Sequence, residues 1–335
     1  MRESFRMWGT VLGVIAFVVF ALIVMMLVFG HIYRLRAGFT TFSANMIGKT
    51  VIITGASAGI GKEAARDLAC RGARVILACR NLKKASDVAD EIRSSSGNNL
   101  VLVRMLDTSS LASVRTFAAK ILAEEERLDV LILNAGRGTT NKKTMTSDGF
   151  ELTMATNHFG HFLLANLLLG LLKESSPSRV VVTASMAHNS LKKLDPKALN
   201  YENGNYQAFH AYSQSKACNI LFARHLAELM KETGVVVNAL CPGLVATDIF
   251  QKSNTILFSI INHIVPFLGK TAQQGAQTII HLAVSEEAAT ITGEFFEDCK
   301  VSKEASPLVC DTGLAKKVWE ASEMYVDLKP EETHF

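Results

Sequence analysis

The chain has 335 residues, 49% of them apolar and 20% charged, which suits one large domain or two small ones and excludes a disordered or collagen-like chain. Its 35 Lys and Arg exceed its 31 Asp and Glu by four, yet Arg2, Arg6, Arg34, Arg36 and Lys49 against Glu3 alone supply that whole excess, leaving 30 against 30 in residues 50–335. A body without net charge lacks the basic footprint of a nucleic-acid-binding protein.

In chain order, Met7 to Phe29 comes first: 23 residues without a charge, long enough for a helix of about 34 Å across a hydrocarbon core of about 30 Å. A secretory signal needs only about 7 to 15 apolar residues plus a small-residue cleavage site, and no such site stands out. An all-round apolar helix outside the patterned part of the chain has only lipid to pack against. The expectation is an uncleaved anchor: residues 1–36 as anchor and basic flank, 37–47 as linker. Arg34, Arg36 and Lys49 after the span, against Arg2 and Arg6 before it, favour a cytosolic body. The six cysteines form no CxxC pair and the chain has no Asn-x-Ser/Thr acceptor, both habits of a reducing compartment.

From Gly48 onward, short β-branched runs alternate with helical patterns. Strands are predicted at Thr50 to Thr54, Arg74 to Cys79, Leu100 to Leu106, Asp129 to Leu133, Arg179 to Thr183, Val235 to Cys241 and near Glu294 to Phe296. Helices are predicted around Lys62 to Cys70, Leu82 to Ser94, Ser110 to Glu126, Met154 to Leu172, Tyr212 to Glu232 and Ala272 to Val284. This alternation predicts an α/β fold: one Rossmann-like, doubly wound parallel sheet with helices on both faces over residues 48–300, followed by a C-terminal extension, 301–335.

The first strand runs into Thr54-Gly55-Ala56-Ser57-Ala58-Gly59-Ile60-Gly61 and then directly into a helix, where a doubly wound fold binds a pyrophosphate. Gly55 permits the tight turn, Gly59 lets the backbone approach phosphate, and Gly61 lets helix and strand pack closely while the helix N-terminus faces the anion. Further on, Tyr212 and Lys216 stand at i and i+4 on one helix face. An ammonium one turn from a phenol favours the phenolate and is expected to bring its pKa towards neutrality, as acid catalysis requires. Ser185, just past an apolar strand, is placed to hydrogen-bond a substrate oxygen. The second strand ends Leu77-Ala78-Cys79-Arg80, with no acid to hold ribose hydroxyls, so Arg80 is expected to pair with the 2′-phosphate of NADP(H), assisted by Lys62.

TGASAGIG at 54–61, Asn134-Ala135-Gly136, Asn157, Ser185, Tyr212-x-x-x-Lys216 and Pro242-Gly243 occur in the order of the short-chain dehydrogenase/reductase family, and the resemblance spans about residues 48–300. Asn157-His158-Phe159-Gly160-His161, Ser185-Met186-Ala187-His188 and Tyr212-Ser213-Gln214-Ser215-Lys216 resemble the microsomal retinol dehydrogenase group in particular, as does the N-terminal anchor. The resemblance implies Tyr212 as proton donor, Lys216 as its tuner and holder of the nicotinamide ribose, Ser185 as the group orienting the carbonyl, and Asn157 as support for a proton-relay water. It implies a cofactor site of Gly55, Ser57, Gly59, Ile60, Gly61, Arg80, Asn134, Ala135, Gly136, Tyr212, Lys216, Pro242 and Gly243. Asp107 resembles the acid that touches the adenine, and Thr247 a contact to the nicotinamide amide. The chain departs from the common pattern at Ala184, where many relatives carry a serine, and in an insertion around Leu191 to Asn205 that places Ser185 27 positions before Tyr212.

His158 and His161, three apart on a presumed helix, have no carboxylate or thiol nearby to complete a ligand set, so no metal is expected and packing histidines are. Ile256, Leu257, Ile260, Ile261, Ile264, Val265 and Leu268 recur at helical spacing, with Ser259, Asn262 and His263 between them; in the family this region covers the substrate, and an apolar lid here would suit a large lipid.

The expected activity is NADP(H)-dependent interconversion of an apolar alcohol and its aldehyde or ketone, retinol and retinaldehyde above all. A hydroxysteroid dehydrogenase or other lipid carbonyl reductase would differ only in pocket shape. A nucleotide-binding sensor or scaffold is the competing class, but needs only the glycine loop and not Ser185, Tyr212 and Lys216 together. The expected partners are an apolar small molecule and, through the N-terminal helix, a lipid bilayer; no nucleic acid is expected, and a homo-oligomer stays open. The resemblance places the chain in the endoplasmic reticulum membrane as a single-pass protein with a cytosolic body, a lipid droplet or other membrane being the alternative.

Overall fold

The apolar runs that alternate along the sequence become neighbouring strands of one sheet in the computed structural model, which describes residues 2–138, 142–202, 206–246, 265 and 267–335. The strands are β1 (Thr50–Thr54), β2 (Arg74–Cys79), β3 (Val101–Met105), β4 (Val130–Leu133), β5 (Ser178–Thr183), β6 (Val235–Cys241), β7 (Phe295–Glu297) and β8 (Lys300–Val301). Their spatial order is β3-β2-β1-β4-β5-β6-β7-β8, all parallel except the β7–β8 pair. The sheet order reverses between β1 and β4, where a doubly wound fold opens a crevice at the carboxyl ends of its strands.

Residue alternation sends each strand into two cores. Ile52, Ile76, Leu131, Leu133, Val180 and Val182 face one layer; Val51, Ile53, Val75, Leu77, Val130, Ile132 and Val181 face the other. On the first face lie α4 (Leu111–Glu124), α6 (Gly160–Glu174), α7 (Ala208–Leu229) and α9 (Thr312–Val326), and on the second α2 (Gly59–Cys70), α3 (Leu82–Ser96) and α8 (Ala272–Val284). A short helix, α5 (Leu152–Met154), leads through a π-helical turn at Ala155–Phe159 into α6, where a single helix had been expected. That wider turn carries Asn157 and His158, a common use of π-bulges.

Two elements go beyond the sequence reading. β8 follows β7 through Asp298 and Cys299, both at positive φ, so the hairpin forms without the glycine that normally announces such a turn. In the 301–335 extension, α9 packs on the α7 side of the sheet: Trp319 stacks on Phe222 at 5.9 Å and meets Phe162 edge-on at 4.8 Å. Each such aromatic pair adds about 0.5–1.5 kcal/mol beyond burial. Arg115 donates to the carbonyls of Val326 and Asp327 and pairs with Glu332, closing the end of α9.

The N-terminal residues form one long helix, α1 (Arg2–Leu35), whose segment Leu12–Leu35 is apolar and long enough to cross a membrane and leaves the body's surface over most of its length. This apolar stretch runs past the expected end at Phe29. The expected helical stripe at 256–264 lies outside the described residues, as does Thr247.

Candidate active site

The glycine-rich turn is built as its sequence requires. Gly55 and Gly59 have φ of +69° and +56°, values costly for a residue with a side chain. A Cβ on Gly55 would come within 2.8 Å of Ala135 Cα, and one on Gly61 within 2.4 Å of Asn134 Nδ2, so both glycines hold the turn against the Asn134-Ala135-Gly136 segment. Thr54 completes the junction: its hydroxyl accepts the Asn134 and Ala135 amides at 2.8 Å each and lies 2.9 Å from His161 Nε2. At the start of α2, Ala58 offers no side-chain cap, leaving the first amides of that helix open to an anion.

A cleft in two parts lies at the carboxyl ends of the strands. One part, of about 340 Å³, is lined by Gly55, Ser57, Arg80, Asp107, Ala135, Gly136 and Arg137, among others. The second, of about 570 Å³, is lined by Gly55, Gly59, Ile60, Asn134, Gly136, Ser185, Tyr212, Lys216, Pro242, Gly243 and their neighbours. Gly55 and Gly136 belong to both linings, so the two parts join. Gly61 packs behind the turn. All the other expected cofactor residues that the structure describes therefore stand along one crevice.

In the second part, Ser185 follows strand β5, caps the 3₁₀ turn Met186–Ser190 by accepting the Ala187 amide at 3.2 Å, and shares the lining with Tyr212. The carbonyl of Ser185 accepts from His188 Nδ1 at 2.7 Å, while His188 Nε2 accepts the Ser306 amide, which fixes the tautomer. Lys216 is buried; its Nζ lies 5.8 Å from the Tyr212 ring centre and donates to the Thr183 carbonyl at 3.1 Å. The same carbonyl accepts from Asn219 Nδ2 at 3.2 Å, and Asn219 Oδ1 lies 3.2 Å from His158 Nδ1.

The phenol is not brought towards neutrality as expected: burial raises it, and Lys216 is not among the groups that lower it. Desolvation pushes the Tyr212 phenol up to about 12, against the opposing hydrogen bond from Ser185, and draws the buried Lys216 ammonium down to about 8. Both effects disfavour the charged form, because both side chains are buried.

Asn157 clamps the loop after β4 from the π turn: Oδ1 accepts the Arg137 amide at 2.8 Å, and Nδ2 donates to the Arg137 carbonyl at 3.1 Å and to Ser215 Oγ at 3.0 Å. A Cβ on Gly136 would lie 3.5 Å from Asn157 Oδ1 and 3.6 Å from Lys216 Nζ, so this glycine keeps the middle of the cleft open.

At the other end, Arg80 is largely exposed and stands 3.9 Å from Asp107, whose other oxygen accepts from Ser109. Lys62 departs from expectation. It pairs with Glu91 of α3 at 2.7 Å and does not line the cleft. Arg137, which the sequence reading passed over, lines the cleft beside Arg80, with Nε buried and lacking a protein partner. Its signal was its position, directly after Asn134-Ala135-Gly136.

His158 and His161 are fully committed to the protein. His158 lies between Asn219 and Ser322, and His161 between Thr54 and the Asn157 carbonyl. No cluster of three or more metal-ligating side chains occurs among the described residues.

A doubly wound sheet with a glycine turn at its switch point, and a serine, tyrosine and lysine gathered beside it, defines a dehydrogenase of the short-chain type. The chain belongs to the short-chain dehydrogenase family, whose model matches residues 49–256. Retinol dehydrogenase 11 of Homo sapiens is 43% identical over 293 residues, covering 86% of this chain and 89% of the relative. Retinol dehydrogenase 12 of Bos taurus is 44% identical, over 83% of this chain and 86% of its own length. Among solved structures, the Pseudomonas aeruginosa RhlG/NADP active-site complex is 27% identical with a TM-score of 0.60, over 75% of this chain and 95% of that one.

Proposed function

We propose that this oxidoreductase is anchored in a membrane by α1 and uses NADP(H) to interconvert a large apolar alcohol and its carbonyl, with retinol and retinaldehyde as the preferred pair. Residues 1–36 serve as anchor and flank, 37–47 as linker and 48–300 as the catalytic domain, the body facing the cytosol at the endoplasmic reticulum. The observation that carries the reading is the placement of Ser185, Tyr212 and Lys216 together in the part of the cleft that continues past Gly136 to Arg80.

The residues present fit a dinucleotide. The glycine turn has no Cβ to obstruct it, the α2 amides are uncapped, Asn134 Oδ1 is buried without a protein partner, and Arg80 and Arg137 flank the adenosine end. Arg80, with no acid at the end of β2 to compete for the ribose, supports a 2′-phosphate. The nicotinamide, when bound, supplies or accepts the hydride.

The chain's own residues manage the oxygen. Ser185 and Tyr212 donate to the substrate carbonyl, and Tyr212, whose pKa burial raises, carries its proton at neutral pH, where it is available once the substrate oxygen gains charge. Negative charge developing on the substrate oxygen draws the phenolic proton across. The Lys216 ammonium then stabilises the phenolate left behind. Asn157 and His188 position the flanking loops and touch no substrate in this scheme.

Two features support an apolar substrate arriving from lipid: the 43–44% identity to retinol dehydrogenases and the apolar helix α1. The test is kcat/KM of the full chain in detergent with NADPH for retinaldehyde, a medium-chain aldehyde, a steroid ketone and a small polar carbonyl. Retinaldehyde is expected to lead; preference for the polar compound overturns the reading, and preference for the steroid moves it to a hydroxysteroid dehydrogenase.

A further inference from the structure

The inner end of α1 is packed against the catalytic body. Gly30, Tyr33, Arg34 and Ala37 recur at i, i+3, i+4 and i+7; Gly30 and Ala37 are buried and Tyr33 and Arg34 half-buried, while His31, Ile32, Leu35 and Arg36 between them are exposed. A Cβ on Gly30 would come within 2.6 Å of the Phe267 carbonyl oxygen and 2.9 Å of Leu268 Cα. The Arg34 guanidinium donates to that Phe267 carbonyl, and Gln274 of α8 donates to the Arg34 carbonyl at 3.1 Å.

This stripe ends on a wall of the cleft. The Tyr33 hydroxyl accepts the Leu244 amide at 2.8 Å, across 211 positions of sequence, and the Leu244 carbonyl accepts the Lys270 amide at 2.8 Å. Both polar groups of the Leu244 backbone are therefore fixed, one of them by the anchor. Lys270, only 1% exposed, places Nζ 5.5 Å from the Tyr33 ring centre and pairs with Asp298. A Cβ on Gly243 would meet the Tyr33 hydroxyl at 2.6 Å, so this glycine, at φ +83°, admits the tyrosine. Pro242, Gly243 and Leu244 line the same part of the cleft as Ser185, Tyr212 and Lys216.

We infer that Tyr33 is a positioning residue for the reaction: by holding the Leu244 amide it sets the Pro242–Gly243–Leu244 wall, so the end of the membrane helix is part of the active-site scaffold. Leu244 is 42% exposed, and its amide would find water if Tyr33 let go. The bond therefore adds little to stability and acts chiefly on the shape of a loop whose glycine leaves it free to move. The inference rests on the cleft's being the nicotinamide and carbonyl site.

The experiment compares the full chain in lipid nanodiscs with its Tyr33→Phe variant, which loses only the hydroxyl. kcat/KM for the carbonyl is expected to fall about 3- to 10-fold, the effect of one neutral hydrogen bond, with the thermal midpoint unchanged. Amide exchange of the peptide holding Leu244 is expected to quicken, a readout independent of turnover. Gly30→Val keeps the hydroxyl but drives the stripe off Phe267, and is expected to reproduce both changes. Wild-type kinetics and exchange in Tyr33→Phe overturn the inference, as does a lowered midpoint with unaltered kcat/KM. A wild-type chain that binds NADPH but reduces no carbonyl overturns the functional reading alone, and the exchange measurement still decides the role of Tyr33.

Discussion

His158 Nε2 and the Ser322 hydroxyl meet at 2.8 Å in the interior, joining the π turn beside the active site to the carboxy-terminal helix α9. Asn219 spends its Nδ2 on the Thr183 carbonyl and sets its Oδ1 3.2 Å from His158 Nδ1, while the Ser322 hydroxyl donates to the Val318 carbonyl at 2.7 Å and offers its oxygen to the other side of the ring. A continuous polar path thus runs from α9 to the carbonyl that receives Lys216. Ser322→Ala removes the hydroxyl without overfilling this buried site and leaves Nε2 without that partner, and should cost about 1–3 kcal/mol in denaturant unfolding. Lys216 would lose some definition in turn, so kcat should drop while the KM for carbonyl holds. A variant as stable as wild type would show that the path carries no weight.

The same burial makes the fold sensitive to acid. Desolvation lowers His158 to about 4 and His161 to about 3, below their unfolded value near 6.5. Because the folded pKa values are depressed, the unfolded chain binds more protons in this window. The stability these rings contribute is complete above about pH 6.5 and is lost as pH falls towards 4 and below, by about 3 kcal/mol for His158. Thermal midpoints between pH 7.5 and 4.5 should decline on this schedule, and His158→Gln should flatten the slope. A flat profile in the wild type would count against neutral, buried imidazoles.

Tyr212→Phe removes the transferable proton and leaves the cleft's shape intact. Turnover should fall by about 10²- to 10⁴-fold with NADPH affinity nearly unchanged. Lys216→Met should damage both, since Nζ sits at the middle of the cleft near Gly136 as well as over the Tyr212 ring. Substantial turnover in Tyr212→Phe would remove the tyrosine from the role of acid.

Periodicity and glycine chemistry made most of the sheet legible: β1, β2 and β6 begin and end where predicted, because the interior of a strand buried on both faces admits no charge. The Asp298–Cys299 turn was not legible, as neither residue advertises a positive φ. Helix α9 was missed although Ala315, Val318, Trp319, Ser322 and Val326 share its buried face. Its sequence lies beyond the family motifs, and only the tertiary stack on Phe222 and Phe162 shows what that face is for. In the site, Tyr212 and Lys216 were readable from i, i+4 spacing, whereas the partners of Asn157, His188 and Tyr33 lie across sequence gaps that no local pattern spans.

Cofactor choice offers the sharpest test of the adenosine end. Arg80 is 63% exposed on its side chain, and its Asp107 neighbour is 3.9 Å away, too loose to compete strongly for the guanidinium. A 2′-phosphate would offer a bidentate, doubly charged partner instead. Solvent screens such a contact, so Arg80→Ala should weaken NADPH binding by about tenfold, the low end for a charge-assisted pair, and leave NADH binding unchanged. Arg137→Gln, which removes the second cation of this end, should weaken NADPH further in the double variant, and the loss should shrink as salt is raised. Fluorescence titration of both cofactors at two ionic strengths measures this; equal kcat/KM with NADH and NADPH, or an Arg80→Ala variant with unaltered NADPH affinity, would show that the guanidinium at the end of β2 does not read the phosphate.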